Sequence, residues 1–357
     1  MFLDLYKKYA IRQTWKKDIA NIRQKLSQCE VVTLSKGQKK DIISYYSKLL
    51  GKKVPFYWHE YFYSRNDSFS VKYIPTCFYH SDIIYRLNNY DLRHAYVDKG
   101  IYDTYFPDVL RPKTIVKNIN GYYYDDCHAI SKDEAIERCH NLKGAVSKPT
   151  QEGMWGSGVK VFSTRDGILP DNKTIDLLMD EYGRNYIIQE KIDQHVEMAK
   201  LNPTSLNTLR VLSYREGNEV YILYAVVRIG RKGKSVDNET SGGINADVQL
   251  DTGKIRDCAY GTPKEKKIYM TDIGTTLNGY QIPSFDLVIS EVKDLHLRLP
   301  YFNLIGWDFG IDTEGRPVMI EWNRAPDLSQ TAHGPAFGEM TEDIFKRIKK
   351  LKDTRFE

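Results

Sequence analysis

The segment GWDFGIDTEGRPVMIEWNRAP, residues 306–326, constrains this chain more than any other stretch. Trp307, Phe309 and Ile311 alternate with Gly306, Asp308 and Gly310, and Val318, Ile320 and Trp322 alternate with Met319, Glu321 and Asn323. A period of two marks a half-buried strand, so the spacing predicts a hairpin with Thr313–Arg316 as its turn. In that register Asp308 stands directly opposite Glu321, and the large apolar residues share the other face, Met319 excepted. Opposed side chains are about 4.5–5.5 Å apart at Cβ. Two carboxylates so placed repel each other, which calls for a cation between them. Asn323 adds a neutral oxygen to the same face. A small cluster of oxygen donors suits Mg²⁺, which keeps water and phosphate oxygens in its remaining positions. A solvated acidic face without an ion is the plain alternative. Gly306 and Gly310 weigh for the ion, because glycine in a strand often marks close approach by a ligand.

The rest of the chain supplies a scaffold for that hairpin. Its 357 residues are enough for two or three subdomains. Residues 1–97 read as mostly helical: Ser35-x-x-Gln38 is a capping box opening onto Ile42, Ile43, Tyr46, Leu49 and Leu50 at helical spacing. From Asp98 the rhythm changes to strands and helices in alternation. Ser131-x-x-Glu134 opens a helix, Ala145–Pro149 reads as a strand, and a glycine-bearing loop leads to another strand at Val159–Phe162. Ile175, Leu178, Met179 and Tyr182 mark a helix stopped by Gly183, and Tyr186–Glu190 is strand-like. Leu206–Tyr214 and Val220–Ile229 flank the turn residues Arg215-Glu216-Gly217-Asn218, and Asp251-Thr252-Gly253 centres a second hairpin. Helices are predicted near Phe285–Leu299 and Thr341–Leu351. Long antiparallel hairpins mixed with helices define an α+β chain, divided here into 1–97, 98–185 and 186–357.

Two features look built for an anion. Lys148 ends a strand and is followed by Gly153, Gly156 and Gly158, whose backbone N–H groups are free to turn toward phosphate. This is no Walker motif, since no Gly-Lys-Ser/Thr opens a helix, and an ordinary hairpin loop is the alternative. Arg210 and Arg228 lie inside apolar strands, where an unpartnered guanidinium is costly. A tight turn at Glu216-Gly217 sets them on opposite faces, so both reach one ligand only if a bulge intervenes.

Composition closes off other classes. The net charge of +5 comes without an aromatic-basic stripe or a reading motif, so nucleic acid is not an expected partner. No apolar run of about 18 residues exists, so no membrane span is expected, and the opening stretch is too briefly apolar for a secretory signal. The five cysteines are odd in number and lack metal-like spacing, which fits a reducing, cytoplasmic setting.

Taken in order, six pieces carry a resemblance. They are Asp98-Lys99 before Pro112–Thr114, Lys148 with its glycine loop, Gln189-Glu190-Lys191-Ile192, Asn207-Thr208-Leu209-Arg210, Ser241-Gly242-Gly243-Ile244-Asn245, and Asp308 with Glu321-x-Asn323. Over residues 98–330 the chain resembles the ATP-grasp superfamily, most closely its sugar-transfer-associated branch in bacterial polysaccharide biosynthesis. The resemblance implies two α+β subdomains clasping ATP, with a mostly helical N-terminal region ahead of them. It implies that Lys99 and Lys148 contact the phosphates while the loop with Gly153, Gly156, Ser157 and Gly158 closes over them. Glu190 and the backbone around Ile192, with Lys191 between, would read adenine, and Glu197 would hold ribose. Asp308, Glu321 and Asn323 would hold two magnesium ions. Arg210 and Arg228 would stabilise the transferred phosphoryl group, and Asn238, Gly242 and Gly243 would border the acceptor pocket.

The implied activity is an ADP-forming carboxylate–amine ligase working through an acyl-phosphate. Its substrates would be a small-molecule carboxylate and an amine, one of them a sugar acid or its nucleotide- or lipid-linked form. A kinase acting on a hydroxyl and a non-catalytic ATP-binding module of a glycan assembly complex are the other readings. The chain departs from the family at its front. Many relatives begin with a Rossmann-like subdomain, whereas residues 1–97 look helical and aromatic, which makes them candidates for acceptor specificity.

Overall fold

The computed structural model describes residues 2–151, 158–237 and 242–356. Helices dominate up to Tyr105, the longest being Phe2–Leu26, Lys36–Leu50 and Tyr57–Asn66. Ser35 and Gln38 form the expected reciprocal cap, and the helix they open buries Ile42 and Tyr46. None of the described helices is long and apolar enough to cross a membrane.

The strands then build two antiparallel sheets. The first contains β1 (Thr114–Ile119), β2 (Tyr122–Asp125), β3 (His128–Ile130), β4 (Ala145–Pro149), β5 (Lys160–Phe162) and β6 (Tyr186–Glu190), in the order β3-β2-β1-β6-β4-β5. Helices Lys132–Arg138 and Ile175–Tyr182 cover it, with Ala135, Leu178 and Met179 packed on Val116, Ala145 and Ile188. Because β6 lies between β1 and β4, the sheets part after Glu190, and the division expected at 185/186 falls one strand too early.

The second sheet holds β7 (Thr208–Glu216), β8 (Glu219–Ile229), β9 (Ile244–Val248), β10 (Ile255–Tyr260), β11 (Leu304–Ile311) and β12 (Pro317–Asn323), in the order β10-β9-β8-β7-β11-β12. One face is apolar apart from a buried Ser213–His296 hydrogen bond of 2.7 Å. There Leu209, Val211, Val227, Trp307, Phe309 and Trp322 pack under Val288, Val292 and Leu295 of the helix Phe285–Leu297. The opposite face is apolar only at one end, where Leu212, Tyr214, Tyr224 and Leu304 meet Ile74, Phe78 and Tyr79 of the helical region and Phe345 of the helix Thr341–Ile348. At its other end that face carries charge.

Two bulges decide which residues share it. Between β7 and β8 the register runs Tyr214↔Tyr221 and Ser213↔Ile222, then jumps to Leu212↔Tyr224, leaving Leu223 extra. An extra residue reverses the inward–outward alternation beyond it. Arg210 and Arg228, opposed in an unbroken hairpin, therefore end on one face. Between β11 and β12 the pairs Gly310↔Val318 and Phe309↔Met319 are followed by Asp308↔Glu321, leaving Ile320 extra. The predicted pairing of the two carboxylates is present, reached through a bulge and not through an even ladder. The bulge also corrects the expected faces: Met319 joins Phe309 in the core, and Val318 falls on the side of Gly310.

Candidate functional site

A single register row crosses the second sheet: Glu321 on β12, Asp308 on β11, Arg210 on β7, Val226 on β8 and Asp247 on β9. Register-paired residues project from the same face, so backbone pairing alone assembles this row. Arg210 grips Asp308 with both prongs of its guanidinium, Nε donating to Oδ1 at 2.5 Å and Nη2 to Oδ2 at 2.7 Å, in buried surroundings. Arg228 reaches the same carboxylate at 3.4 Å, and Asn323 Nδ2 donates to its Oδ2 at 3.4 Å. Lys99 Nζ lies 3.2 Å from Glu321 Oε2.

The two lysines arrive from the first sheet's side. Lys99 sits on a short turn whose backbone N–H donates to Thr150 O at 2.8 Å, beside the end of β4. Asp98 Oδ1 accepts from Gly100 N at 2.9 Å, and Lys117 ties the turn to β1 by donating to Gly100 O at 2.9 Å and to Asp103 at 2.6 Å. Lys148, opposite Ile187 in β4, is buried. Burial pushes its ammonium down to about 8; Glu321 and Asp308 pull the other way, and neighbouring Lys99 adds to the depression. Burial would raise the Glu321 carboxyl, but Lys99, Lys148 and Arg210 outweigh it and hold it at about 2. For Arg210 desolvation opposes the charge, yet Asp308 keeps its proton more firmly bound than usual.

Four cations thus face Asp308 and Glu321, and although Asp237 also feels Arg228 the cations outnumber the carboxylates. The donor set of Asp308, Glu321 and Asn323 is all oxygen and lies on one face, which fits Mg²⁺ accompanied by phosphate oxygens. Among the described residues no group of three or more His, Cys, Asp and Glu side chains is placed to hold a metal. Beside this donor set, Thr150 Oγ1 is buried with no hydrogen-bond partner among the described residues.

The other expected positions have contacts of their own, separate from this centre. Lys191, Ile192, Asp193, Gln194 and Leu206 line a hollow of about 180 Å³ where the chain passes between the sheets. Glu190 is exposed and pairs with Lys113 at 3.1 Å. Glu197 pairs with Lys200 at 2.6 Å and accepts from Tyr280 Oη at 3.1 Å, both of which hold its carboxyl below the usual range. Gly158 has φ +87°, and a Cβ there would lie 3.2 Å from Pro149, so the position needs glycine. Gly242 has φ +88°, and Gly243 is buried just before β9. Gly153, Gly156, Ser157 and Asn238 lie outside the described residues.

The strand glycines have a different reason from the one expected. A Cβ on Gly306 would come within 2.5 Å of Pro326, and one on Gly310 within 3.3 Å of Leu206. The chain's own packing leaves no room for a side chain at Gly306 and little at Gly310, so neither glycine is evidence for a ligand.

Two acidic residues were missed in the sequence. Asp237 accepts from Thr208 N at 3.0 Å and Thr208 Oγ1 at 2.5 Å, and burial pushes its carboxyl up to about 6 although Arg228 and Thr208 oppose the rise. Asp247 accepts from Arg256 Nε at 2.8 Å and bonds His333 Nδ1 at 2.7 Å. An acid inside the apolar run Ala246–Leu250 is the same anomaly that singled out Arg210, so Asp247 carried a readable signal. His333, at the end of the four-residue helix Gln330–His333, carried none.

The family described as sugar-transfer associated ATP-grasp matches residues 81–344. No curated protein matches. Among solved structures, an L-amino acid ligase from Bacillus licheniformis is similar at 11% identity and TM-score 0.40, covering 75% of this chain and 50% of its own. A D-alanine–D-alanine ligase from Bacillus anthracis complexed with ATP is similar at 12% identity and TM-score 0.40, covering 71% and 65%. The D-alanyl-alanine synthetase A of Vibrio cholerae gives 14% identity and TM-score 0.42, covering 71% and 65%. The chain therefore spans between half and two thirds of the length of these structures.

Proposed function

The chain belongs to the sugar-transfer associated ATP-grasp family, and from that premise we propose that it is an ATP- and Mg²⁺-dependent carboxylate–amine ligase acting on a sugar acid of a polysaccharide precursor. One observation carries the reading: Asp308, Glu321 and Asn323 share a face that Arg210, Arg228, Lys99 and Lys148 surround with excess positive charge. A polyanionic triphosphate accompanied by divalent cations is the ligand that both halves of this arrangement fit.

In the proposed reaction a carboxylate oxygen attacks the γ-phosphorus of ATP and ADP leaves. The amine then displaces phosphate from the acyl-phosphate. Lys99 and Lys148 hold phosphate oxygens, and the buried fork of Arg210 with Arg228 faces the charge that develops on the transferred group. Asp308, Glu321 and Asn323 would hold magnesium, which supplies charge neutralisation along the phosphates. The hollow beside Ile192 and Leu206 takes the adenine, and Glu197 the ribose. Acceptor choice falls to residues 1–97, whose helices pack on the same face of the second sheet as the charges do.

The test is a screen of ADP and phosphate release against uronic-acid nucleotides and amines, with product mass determined. Release that needs both substrates, with an amide as product, supports the ligase. Steady ATP turnover without an acceptor, or a stable phosphoester, overturns it.

A further inference from the structure

The polar face continues past Arg210 to a buried acid–imidazole pair that the roles above leave unused. Asp247 is only 3% exposed and sits opposite Val226 on β8. The next residue of β8 on that face is Arg228, so Asp247 is its diagonal neighbour across the ladder, at about 7–8 Å. Arg228 in turn touches Asp308. The pair therefore borders the place where the activated carboxyl group is expected, on the side leading to β9 and Gly243.

Its geometry is that of a poised base. His333 Nδ1 lies 2.7 Å from Asp247 Oδ1, and Arg256 holds the other carboxylate oxygen at 2.8 Å. An ionised carboxylate only accepts, so Nδ1 donates the hydrogen bond, and in the neutral imidazole Nε2 is the nitrogen with the free lone pair. Among the described residues Nε2 has no hydrogen-bond partner, and the side chain stays 20% exposed. The ring orientation is fixed a second time by stacking on Tyr224, with centroids 4.9 Å apart and planes at 27°. Tyr224 is itself anchored by accepting from Ser329 N at 2.9 Å. A histidine needed only to fasten its short helix would not require two independent constraints on its plane.

We propose that His333 takes the proton from the incoming nucleophile, with Asp247 as the residue that positions it; this rests on the ligase reading above. The lone pair of a neutral primary amine forms the C–N bond to the acyl carbon. The C–O bond to phosphate breaks, and phosphate leaves with that electron pair. The surplus N–H proton passes to His333 Nε2, and Asp247 balances the imidazolium that results.

The experiment compares two nucleophiles on one carboxylate. With ATP, Mg²⁺ and a sugar acid that supports turnover, hydroxylamine traps the acyl-phosphate as a hydroxamate without needing a base, whereas an alkyl amine does need one. His333→Gln and His333→Ala are expected to keep near wild-type hydroxamate formation while amide formation falls about 10²–10⁴-fold. Added imidazole restores part of the loss in His333→Ala, and Asp247→Asn lowers kcat for the amine while leaving KM for ATP in place. Equal losses with both nucleophiles, unchanged amide formation, or absence of imidazole rescue would overturn the proposal. A wild-type protein that makes no hydroxamate overturns the ligase reading itself, and the assignment of His333 with it.

Discussion

The two faces of the second sheet are made by the same strands and do opposite things. Trp307 and Phe309 point into an apolar layer under the helix Phe285–Leu297, while Asp308 between them points to Arg210, Arg228 and Asn323. Asp308 and Arg210 are buried as Trp307 and Phe309 are, while Arg228, Glu321 and Asn323 keep partial exposure. The difference is what each demands of its neighbours. The apolar side needs volume, and many residues supply it; the charged side needs particular partners at particular register positions, because an unpaired buried charge is far costlier than a small void. Bulges are the price of having both, since Leu223 and Ile320 set aside an even ladder so that Arg228 and Glu321 come to the charged side.

Adjacent residues give the sharpest way to break that comparison. Asp308→Ala leaves Arg210 buried and unpaired, so it is expected to cost about 3–5 kcal/mol in urea unfolding and to abolish ADP formation. Trp307→Ala is expected to cost a similar 3–5 kcal/mol through its cavity, yet its folded fraction keeps nucleotide binding. If both variants lose binding in proportion to stability, the two faces are not functionally distinct.

Lys148 sharpens the charged side through pH. Its ammonium titrates near 8 in the folded chain against 10.5 for the ordinary group. Affinity for ATP is therefore expected to fall as pH rises through 8, and Lys148→Met should flatten that profile. The unfolded chain binds this proton more tightly, so stability without nucleotide should climb between pH 8 and 10.5, and the same substitution should remove the climb. For Glu321 the sign is reversed. Its folded value of about 2 lies below the ordinary 4.5, so the stability it contributes is present above 4.5 and is lost as pH falls toward 2. Glu321→Gln should lessen acid destabilisation in that window, measured by thermal unfolding.

The smallest effect is expected at Lys113→Ala. Its partner Glu190 and the lysine itself are 52% and 76% exposed, so solvent screens the pair and the loss should stay below about 1 kcal/mol.

What the sequence made legible follows the same division. Alternation across residues 304–323 predicted both strands and the Asp308–Glu321 pairing, because a period of two is a backbone property. The bulges were not legible as positions: an extra residue in a strand leaves no mark in Leu223 or Ile320 themselves, and only the need for Arg210 and Arg228 to meet hinted at one. Gly306 and Gly310 misled, since contacts with Pro326 and Leu206, distant in the pattern, explain them. The strand β6 was recognised but set beyond the division at 185/186, because pairing partners are not written in a strand's own composition. His333 was invisible for a related reason: a histidine after a strand means nothing until topology sets it beside Asp247.

The central claim is that the charged end of the second sheet holds triphosphate together with a divalent cation. Calorimetric titration of a non-hydrolysable ATP analogue into wild type and Glu321→Gln, with and without Mg²⁺, tests it directly. The account predicts that Mg²⁺ tightens wild-type binding by at least about tenfold, worth about 1.4 kcal/mol, and that Glu321→Gln loses most of this gain. Binding that is indifferent to Mg²⁺, or a variant with the full wild-type gain, would contradict it.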